Sequence, residues 1–238
     1  MEWGNTMSVA VEEKNVAIEI GYEITEEEVA DLKPVDASKR HYRIWKRGFD
    51  IILSFLGLTV LLLPIGIIAL LVYIDDPGKV IFSQDRIGKG NKKFRLYKFR
   101  TMKLDTPKYM ATSQVVNPDQ YITRVGKVLR KLSLDEIPQL VCVLKGDMSL
   151  VGPRPLIPGE KPIHDMRDRF GVYTVRPGVT GLAQVNGRDT VLPAEKVRYD
   201  VKYVEKFGFL TDIKILLATV PKVFAGSGVV EGKKQTKQ

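Results

Sequence analysis

From residue 51 to residue 74 the chain reads IILSFLGLTVLLLPIGIIALLVYI, 24 positions without a charge and the longest such run in the sequence. An apolar run longer than about 18 residues signals a membrane helix more than a buried helix of a soluble core. As one straight helix it would extend about 36 Å, enough to cross a bilayer. Two features set the pattern against a straight span. Pro64 stands near the middle, where it removes a backbone N–H and clashes with the preceding turn, and Gly57 and Gly66 loosen the helix around it. Each arm alone is too short for about 30 Å of hydrocarbon. Basic residues also flank both ends: Lys39, Arg40, Arg43, Lys46 and Arg47 before the run, and Lys79, Arg86, Lys89, Lys92, Lys93, Arg95, Lys98 and Arg100 after it. Positive charge stays on the cytoplasmic side. The pattern therefore predicts a re-entrant helix–break–helix hairpin that returns to the side it entered from, with a Pro-kinked spanning helix as the alternative.

Beyond this run the periods shorten. Residues 80–86 and 93–100 alternate, and Gly88-Lys89-Gly90-Asn91 supplies turn residues between them, which predicts a β-hairpin. Phe94, Leu96, Lys98 and Arg100 share one face of its second strand, so Lys98 and Arg100 point together, at an anion or into solvent. Residues 120–145 read as two helical pieces, and 192–207 and 209–224 as two more. The last suits a core helix or one lying in a membrane interface. Pro and Gly dominate 152–162 and 176–187, which read as rigid loops. The expected architecture is mixed α/β and helix-rich. It comprises an acidic, weakly ordered extension over 1–40, a re-entrant membrane hairpin over 41–78, a small cytoplasmic catalytic domain with interfacial amphipathic helices over 79–230, and a tail over 231–238.

Composition narrows the function. A hydrophobic fraction of 44% over 238 residues excludes a polytopic membrane protein. One cysteine and two histidines exclude a disulfide framework and a Cys/His zinc site. No signal-peptide pattern opens the chain. Residues 1–40 carry ten acids and four bases, a net −6, so the rest of this +9 chain carries +15. Such a body suits an anionic partner: nucleic acid, an anionic membrane or a phosphorylated substrate.

Three constellations carry candidate chemistry. Ser133-Leu134-Asp135-Glu136 reads structurally as a capping box. Pro138 argues for a helix that starts nearer Asp135, which leaves the acids free at its tip. There an aspartate is a nucleophile for phosphorus, and a second carboxylate helps hold Mg²⁺ beside substrate phosphates. Arg130, five residues earlier, can take a phosphate or orient a carboxylate. Gly152-Pro153-Arg154-Pro155 holds a guanidinium with little freedom to lose, suited to a phosphate or a planar base. The Gly-rich loop 176–188 permits close approach of a ligand to backbone. No Walker P-loop, dinucleotide-binding fingerprint or nucleophile elbow occurs. An apolar membrane hairpin also argues against nucleic acid.

Taken in order, the chain resembles the bacterial sugar transferase family, the monotopic polyprenyl-phosphate phosphoglycosyl transferases, over about residues 44–230. The matching stretches are Lys46-Arg47…Asp50, the central Pro64, VIFSQDRIG (80–88), YKFRTM (97–102), LRKLSLDEIPQLVCVLKGDMSLVGPRPL (129–156), VRPGVTGLAQVNGR (175–188), YDVKYV (199–204) and TDIKILLATVPKV (211–223). The resemblance implies a membrane enzyme of the cytoplasmic face of the bacterial inner membrane. It would transfer a phosphosugar from a UDP-sugar to polyprenyl phosphate and release UMP, as the first membrane step of a surface glycan that later glycosyltransferases extend. It further implies Asp135 as nucleophile, Glu136 as its partner at Mg²⁺, and substrate contacts at Lys98, Arg100, Arg130, Pro153, Arg154, Pro155, Arg176, Gln184 and Arg188. Leu63 stands where many relatives have a serine before the helix-breaking Pro64, and Thr59 lies one turn earlier as a substitute hydroxyl. The terminal stretch 222–228 is similar to that of enzymes using N-acetylated amino sugars. Two rivals stay open: a membrane-anchored scaffold without activity, and a single-displacement transferase on the same substrates.

Overall fold

The structure is a computed structural model that describes residues 24–38, 41–104, 106, 120–187 and 190–225. Of the acidic extension expected over 1–40, residues 24–38 fall within this range and touch the body; the remainder, and the tail over 231–238, lie outside the described residues. Thr25 opens α1 (Glu26–Val29) with a capping box to Glu28, and Val29 is buried beside Ile163, Phe170 and Val197. Glu26 pairs with Arg169 and Asp31 with Arg198, so acids of the extension meet bases of the body.

The apolar run forms α2 (Tyr42–Val60) and α3 (Leu62–Asp75), bent by 63° between them. The break falls at Leu61, not at Pro64 as the sequence suggested. A proline ring clashes with the carbonyl four residues back, here Val60, so the helix ends before the proline. Pro64 then sits in the first turn of α3, where no intrahelical donor is needed. The Thr59 hydroxyl donates to the Phe55 carbonyl at 2.9 Å, a back-bond that favours bending. Among the described residues no single helix is long and apolar enough to cross a membrane; only the bent pair reaches that length together.

The first half of α2 is fastened to the rest of the protein through its polar residues. Lys46 pairs with Asp212, the Leu150 N–H donates to Asp50 at 3.0 Å, and Arg47 donates to the Val143 and Leu144 carbonyls. The opposite face is bare: Trp45 is 72% exposed and Phe55 61%, and Leu63 on α3 is 74% exposed. Ile68 and Val72 of α3 pack with Phe99 and Leu129, which ties the hairpin to the strand and helix that carry the candidate site.

β1 (Ile81–Ile87) and β2 (Lys93–Phe99) form the expected antiparallel hairpin, with Phe82 opposite Lys98 and Arg86 opposite Phe94. Then come α4 (Arg124–Lys131), α5 (Gln139–Lys145), β3 (Ser149–Val151), α6 (Lys161–Arg169), β4 (Gly178–Thr180), α7 (Leu182–Val185), α8 (Pro193–Glu205) and α9 (Phe209–Ala225). β3 and β4 pair in parallel, so the described residues hold two small sheets among helices. Asp212 at the start of α9 is a buried hub. It accepts from Tyr42 of α2 at 2.8 Å and from Tyr203 of α8 at 2.9 Å, besides pairing with Lys46. On α9, Leu210 just before this hub and Leu217 beyond it are 71% and 68% exposed.

Candidate active site

Ser133 does not cap the helix that follows it. Its backbone is left-handed, with φ of 56°, and its side chain makes no capping hydrogen bond. It terminates α4 instead. The Ser133 N–H donates to the Arg130 carbonyl at 3.1 Å, as a left-handed residue does just past a helix end. The capping-box reading is thus replaced by the alternative one. Leu134–Glu136 is a separate 3₁₀ turn, and α5 starts at Gln139, after Pro138. A non-glycine residue in this conformation costs about 1–2 kcal/mol. That cost is concentrated next to the two acids.

Asp135 is buried at 8% exposure, and Glu136 keeps 14% of its side chain open. Burial first, and the neighbouring Glu136 charge second, push the Asp135 carboxyl up to about 6; Lys98, Arg130 and Arg154 pull the other way. Lys98 comes from β2 and lies over the ring of its cross-strand partner Phe82, 5.3 Å from the centroid. Burial lowers it to about 8, against the raising field of Asp135. Arg130 comes from the last turn of α4. Arg154 donates to Glu136 at 3.2 Å.

The Arg154 loop is clamped by its carbonyls. Arg167 donates to the Arg154 carbonyl at 2.8 Å and Arg86 to the Pro155 carbonyl at 3.2 Å. The Gly178 N–H donates to the Pro153 carbonyl at 2.9 Å. A Cβ at Gly178 would lie 2.1 Å from the Gly152 nitrogen, and one at Gly181 would lie 2.1 Å from the Gly152 carbonyl oxygen. The spacing of glycines in 178–181 is therefore what lets β4 approach the loop. Arg167 is itself paired with Asp200, both nearly inaccessible.

Lys98, Arg130, Arg154 and the acids Asp135 and Glu136 thus converge. Other expected residues do not join them. Arg100 turns to Asp76 at the end of α3, at 2.8 Å. Arg176 donates to the Gly146 carbonyl at 2.8 Å, at the far end of α5. Gln184 donates to the Val179 carbonyl at 2.8 Å. Arg188 lies outside the described residues. Arg86 and Arg167 were missed by the sequence reading. For Arg86 the signal was present: Phe82, Gln84 and Arg86 alternate onto the face that carries Lys98. For Arg167 there was none, because a helical arginine reads as solvated until its buried partner is seen.

No cluster of three His, Cys, Asp or Glu side chains able to hold a metal occurs among the described residues. Two adjacent carboxylates do suit Mg²⁺, which takes one or two protein carboxylates and completes its shell with phosphate oxygens and water.

This geometry, two carboxylates ringed by three cations, agrees with the comparison to known proteins. The bacterial sugar transferase family profile matches residues 41–226, most of the chain. This chain belongs to that family. The transferase is 36% identical over 200 residues to the exopolysaccharide production protein ExoY of Sinorhizobium fredii, covering 78% of this chain and 88% of that one. It is 39% identical over 188 residues to a UDP-glucose:undecaprenyl-phosphate glucose-1-phosphate transferase of Caulobacter vibrioides, covering 75% and 69%. It is 38% identical over 198 residues to a UDP-N-acetylgalactosamine-undecaprenyl-phosphate N-acetylgalactosaminephosphotransferase of Aeromonas hydrophila. There it covers 79% of this chain but 45% of that longer relative.

Proposed function

We propose that the transferase moves a phosphosugar from a UDP-sugar to polyprenyl phosphate, in bacteria undecaprenyl phosphate, by double displacement. A carboxylate oxygen of Asp135 attacks the sugar-bearing phosphorus. The bond from that phosphorus to the bridging oxygen breaks, and UMP leaves with the oxygen. An oxygen of the polyprenyl phosphate then attacks the same phosphorus, breaks the aspartyl bond and returns Asp135 as a carboxylate. The lipid-linked product is the starting unit for later glycosyltransferases of a capsule, exopolysaccharide or glycoprotein glycan.

The observation that carries this reading is the burial of Asp135 among Lys98, Arg130 and Arg154. A carboxylate raised to about 6 is more basic, hence more nucleophilic, than a solvated one, yet is still mostly ionised at neutral pH. The surrounding cations offset negative charge on the transferring phosphoryl group. Asp135 and Glu136 are the residues that would hold Mg²⁺, and the metal when bound would neutralise phosphate charge.

The apolar surface supports a monotopic placement at the cytoplasmic face of the bacterial inner membrane. In this reading α2 and α3 dip into one leaflet as a re-entrant hairpin, and α9 lies in the interface. Packing α3 on Phe99 and Leu129, of the strand and helix that carry Lys98 and Arg130, keeps the site at the surface where a lipid phosphate is confined.

The decisive experiment uses a UDP-sugar labelled at the sugar-bearing phosphorus. Without lipid acceptor, label should stay on the wild-type protein and be absent from Asp135→Asn. A single displacement leaves the protein unlabelled but still turns over with lipid, and an inactive scaffold releases no UMP at all. Cysteines introduced at Lys39 and Lys92 should both react from the cytoplasmic side alone; labelling from opposite sides means a spanning helix. A UMP-release screen across UDP-sugars identifies the sugar.

A further inference from the structure

The two ends of α5 carry different chemistry. Asp135 and Glu136 precede its first turn. Beyond its last turn, about 10 Å away along the helix, lies a shallow cleft, open to solvent, lined by Arg43, Lys46, Arg47, Lys89 and Arg176. Asp50 is the one carboxylate in the lining, and it accepts the Leu150 N–H, while Lys46 is paired with Asp212. That leaves Arg43, Arg47, Lys89 and Arg176, none of which pairs with a carboxylate among the described residues.

A purely structural role accounts for part of this cluster. Arg47 holds the Val143 and Leu144 carbonyls and Arg176 the Gly146 carbonyl, which caps the C-terminal end of α5. The end of a helix offers only about half a negative charge. It does not offset four cations; Arg43 donates to the Ser38 carbonyl, and the Lys89 side chain, on the turn between β1 and β2, makes no hydrogen bond or ion pair among the described residues. Burial lowers Lys89 and Arg176, and other cations of the cluster lower each further: Arg43 and Arg176 act on Lys89, and Arg47 and Arg43 on Arg176, which Asp50 and Asp147 raise in part. The fold therefore holds like charges together from three separate segments, α2, the β-hairpin turn and the loop before β4. The groups that surround Asp135 are Glu136, Lys98, Arg130 and Arg154, so the two clusters share no residue.

We propose that this cleft is a second phosphate-binding site, separate from the Asp135–Glu136 dyad, taking a phosphate group borne by an anionic phospholipid or free in solution. Guanidinium forks and an ammonium from several directions match the oxygens of a tetrahedral anion. Ile44, one helical turn before Arg47 on α2, is 77% exposed, an apolar surface beside the cleft along which the apolar part of a lipid would lie. The proposal stands apart from the chemistry assigned to the dyad and does not depend on it.

The test uses the full chain purified in a neutral detergent, with thermal melting and equilibrium binding as readouts. One arm adds phosphatidylglycerol in phosphatidylcholine micelles against phosphatidylcholine alone; the other adds inorganic phosphate against chloride at equal ionic strength. The wild-type melting temperature should rise by at least about 2 °C at saturation in one arm or both, and the responding arm identifies the source. Lys89→Gln/Arg176→Gln should bind at least about 10-fold more weakly. Asp135→Asn should respond as wild type. If the double variant fails to fold, Lys89→Gln alone, on a partly exposed turn, is read in the same way. No response in either arm, an equal response in the cleft variant, or loss of the response in Asp135→Asn overturns the proposal.

Discussion

Arg154 and Glu136 meet at 3.2 Å across the site, joining a proline-flanked loop to the acid beside the buried Asp135. The pair is partly open to solvent, so its contribution to stability is small, about 0–1 kcal/mol. Its importance lies in orientation. Arg154→Ala is expected to lower kcat/KM for UMP release by about 100-fold with little change in melting temperature. Arg154→Lys should recover only part, because an ammonium lacks the planar fork. Glu136→Gln and Arg154→Ala should combine to less than the product of their separate effects, since each removes the other's partner. Independent, multiplicative losses in a double-mutant cycle would show that the two side chains act separately.

Behind Arg154 stands the buried Arg167–Asp200 pair, which reaches the loop through the Arg154 carbonyl. Removing one partner of a buried pair leaves an uncompensated charge and costs about 3–5 kcal/mol. Asp200→Asn and Arg167→Met should each lower denaturant stability on that order. Combining Arg167→Met with Asp200→Leu should lose less than either single change, because no buried charge remains. The surviving activity of that double variant should show a raised KM, as the Arg154 loop loses its clamp.

The elements legible in the sequence were those fixed by local pattern. Alternation at 80–86 and 93–100 gave β1 and β2 nearly to the residue, and the bent apolar pair followed from an uncharged run with a proline inside. Lys98, Arg130, Arg154, Asp135 and Glu136 were legible as candidates because their motifs fixed them together. What escaped was set by tertiary pairing. Arg100 shares a strand face with Lys98 on paper, but it lies just past β2, where the Asp76 carboxylate claims it. Ser133-Leu134-Asp135-Glu136 has the letters of a capping box, but Pro138 delays the helix and Ser133 closes the previous one. Residues 24–38 show no period, because their order comes from Val29 and Ala37 entering clusters built by distant helices.

Gly126 sets how closely α4 lies against the strand end. A Cβ there would stand 2.2 Å from the Thr101 carbonyl oxygen, a backbone atom that cannot rotate away. Gly126→Ala should therefore displace the helix that delivers Arg130. A loss of about 1–3 kcal/mol, the usual range for overpacking, is expected in chemical denaturation. The accompanying fall in kcat/KM should exceed that of Gly66→Ala, where open space surrounds the position.

The opposed shifts of Asp135 and Lys98 fix a pH window. Asp135 must be ionised to attack, and it gains its proton as pH falls through about 6. Lys98 loses its charge as pH rises through about 8. The kcat/KM profile should be bell-shaped with limbs near these values, belonging to the coupled site as a whole. Lys98→Arg keeps its charge to higher pH, so its alkaline limb should move up while the acid limb stays. A profile for that variant superimposable on wild type excludes Lys98 as the source of the alkaline limb.

The same shift of Asp135 makes the nucleophile a cost to the fold. Its carboxyl has an ordinary value of 3.8 and is raised to about 6 in the folded protein, so the unfolded chain releases this proton more readily. At a pH below about 4 both states are protonated and the group is neutral in its effect. Between about 4 and 6 the unfolded state ionises first, and stability is lost as pH rises; above about 6 the loss is complete. Two units correspond to about 3 kcal/mol at most. Asp135→Asn removes the buried charge and should melt higher than wild type at pH 7.5, while showing no activity. At pH 4 the difference should vanish. If Asp135→Asn were instead less stable than wild type at pH 7.5, Lys98, Arg130 and Arg154 would outweigh the desolvation of Asp135, and the carboxylate would be a structural ion pair.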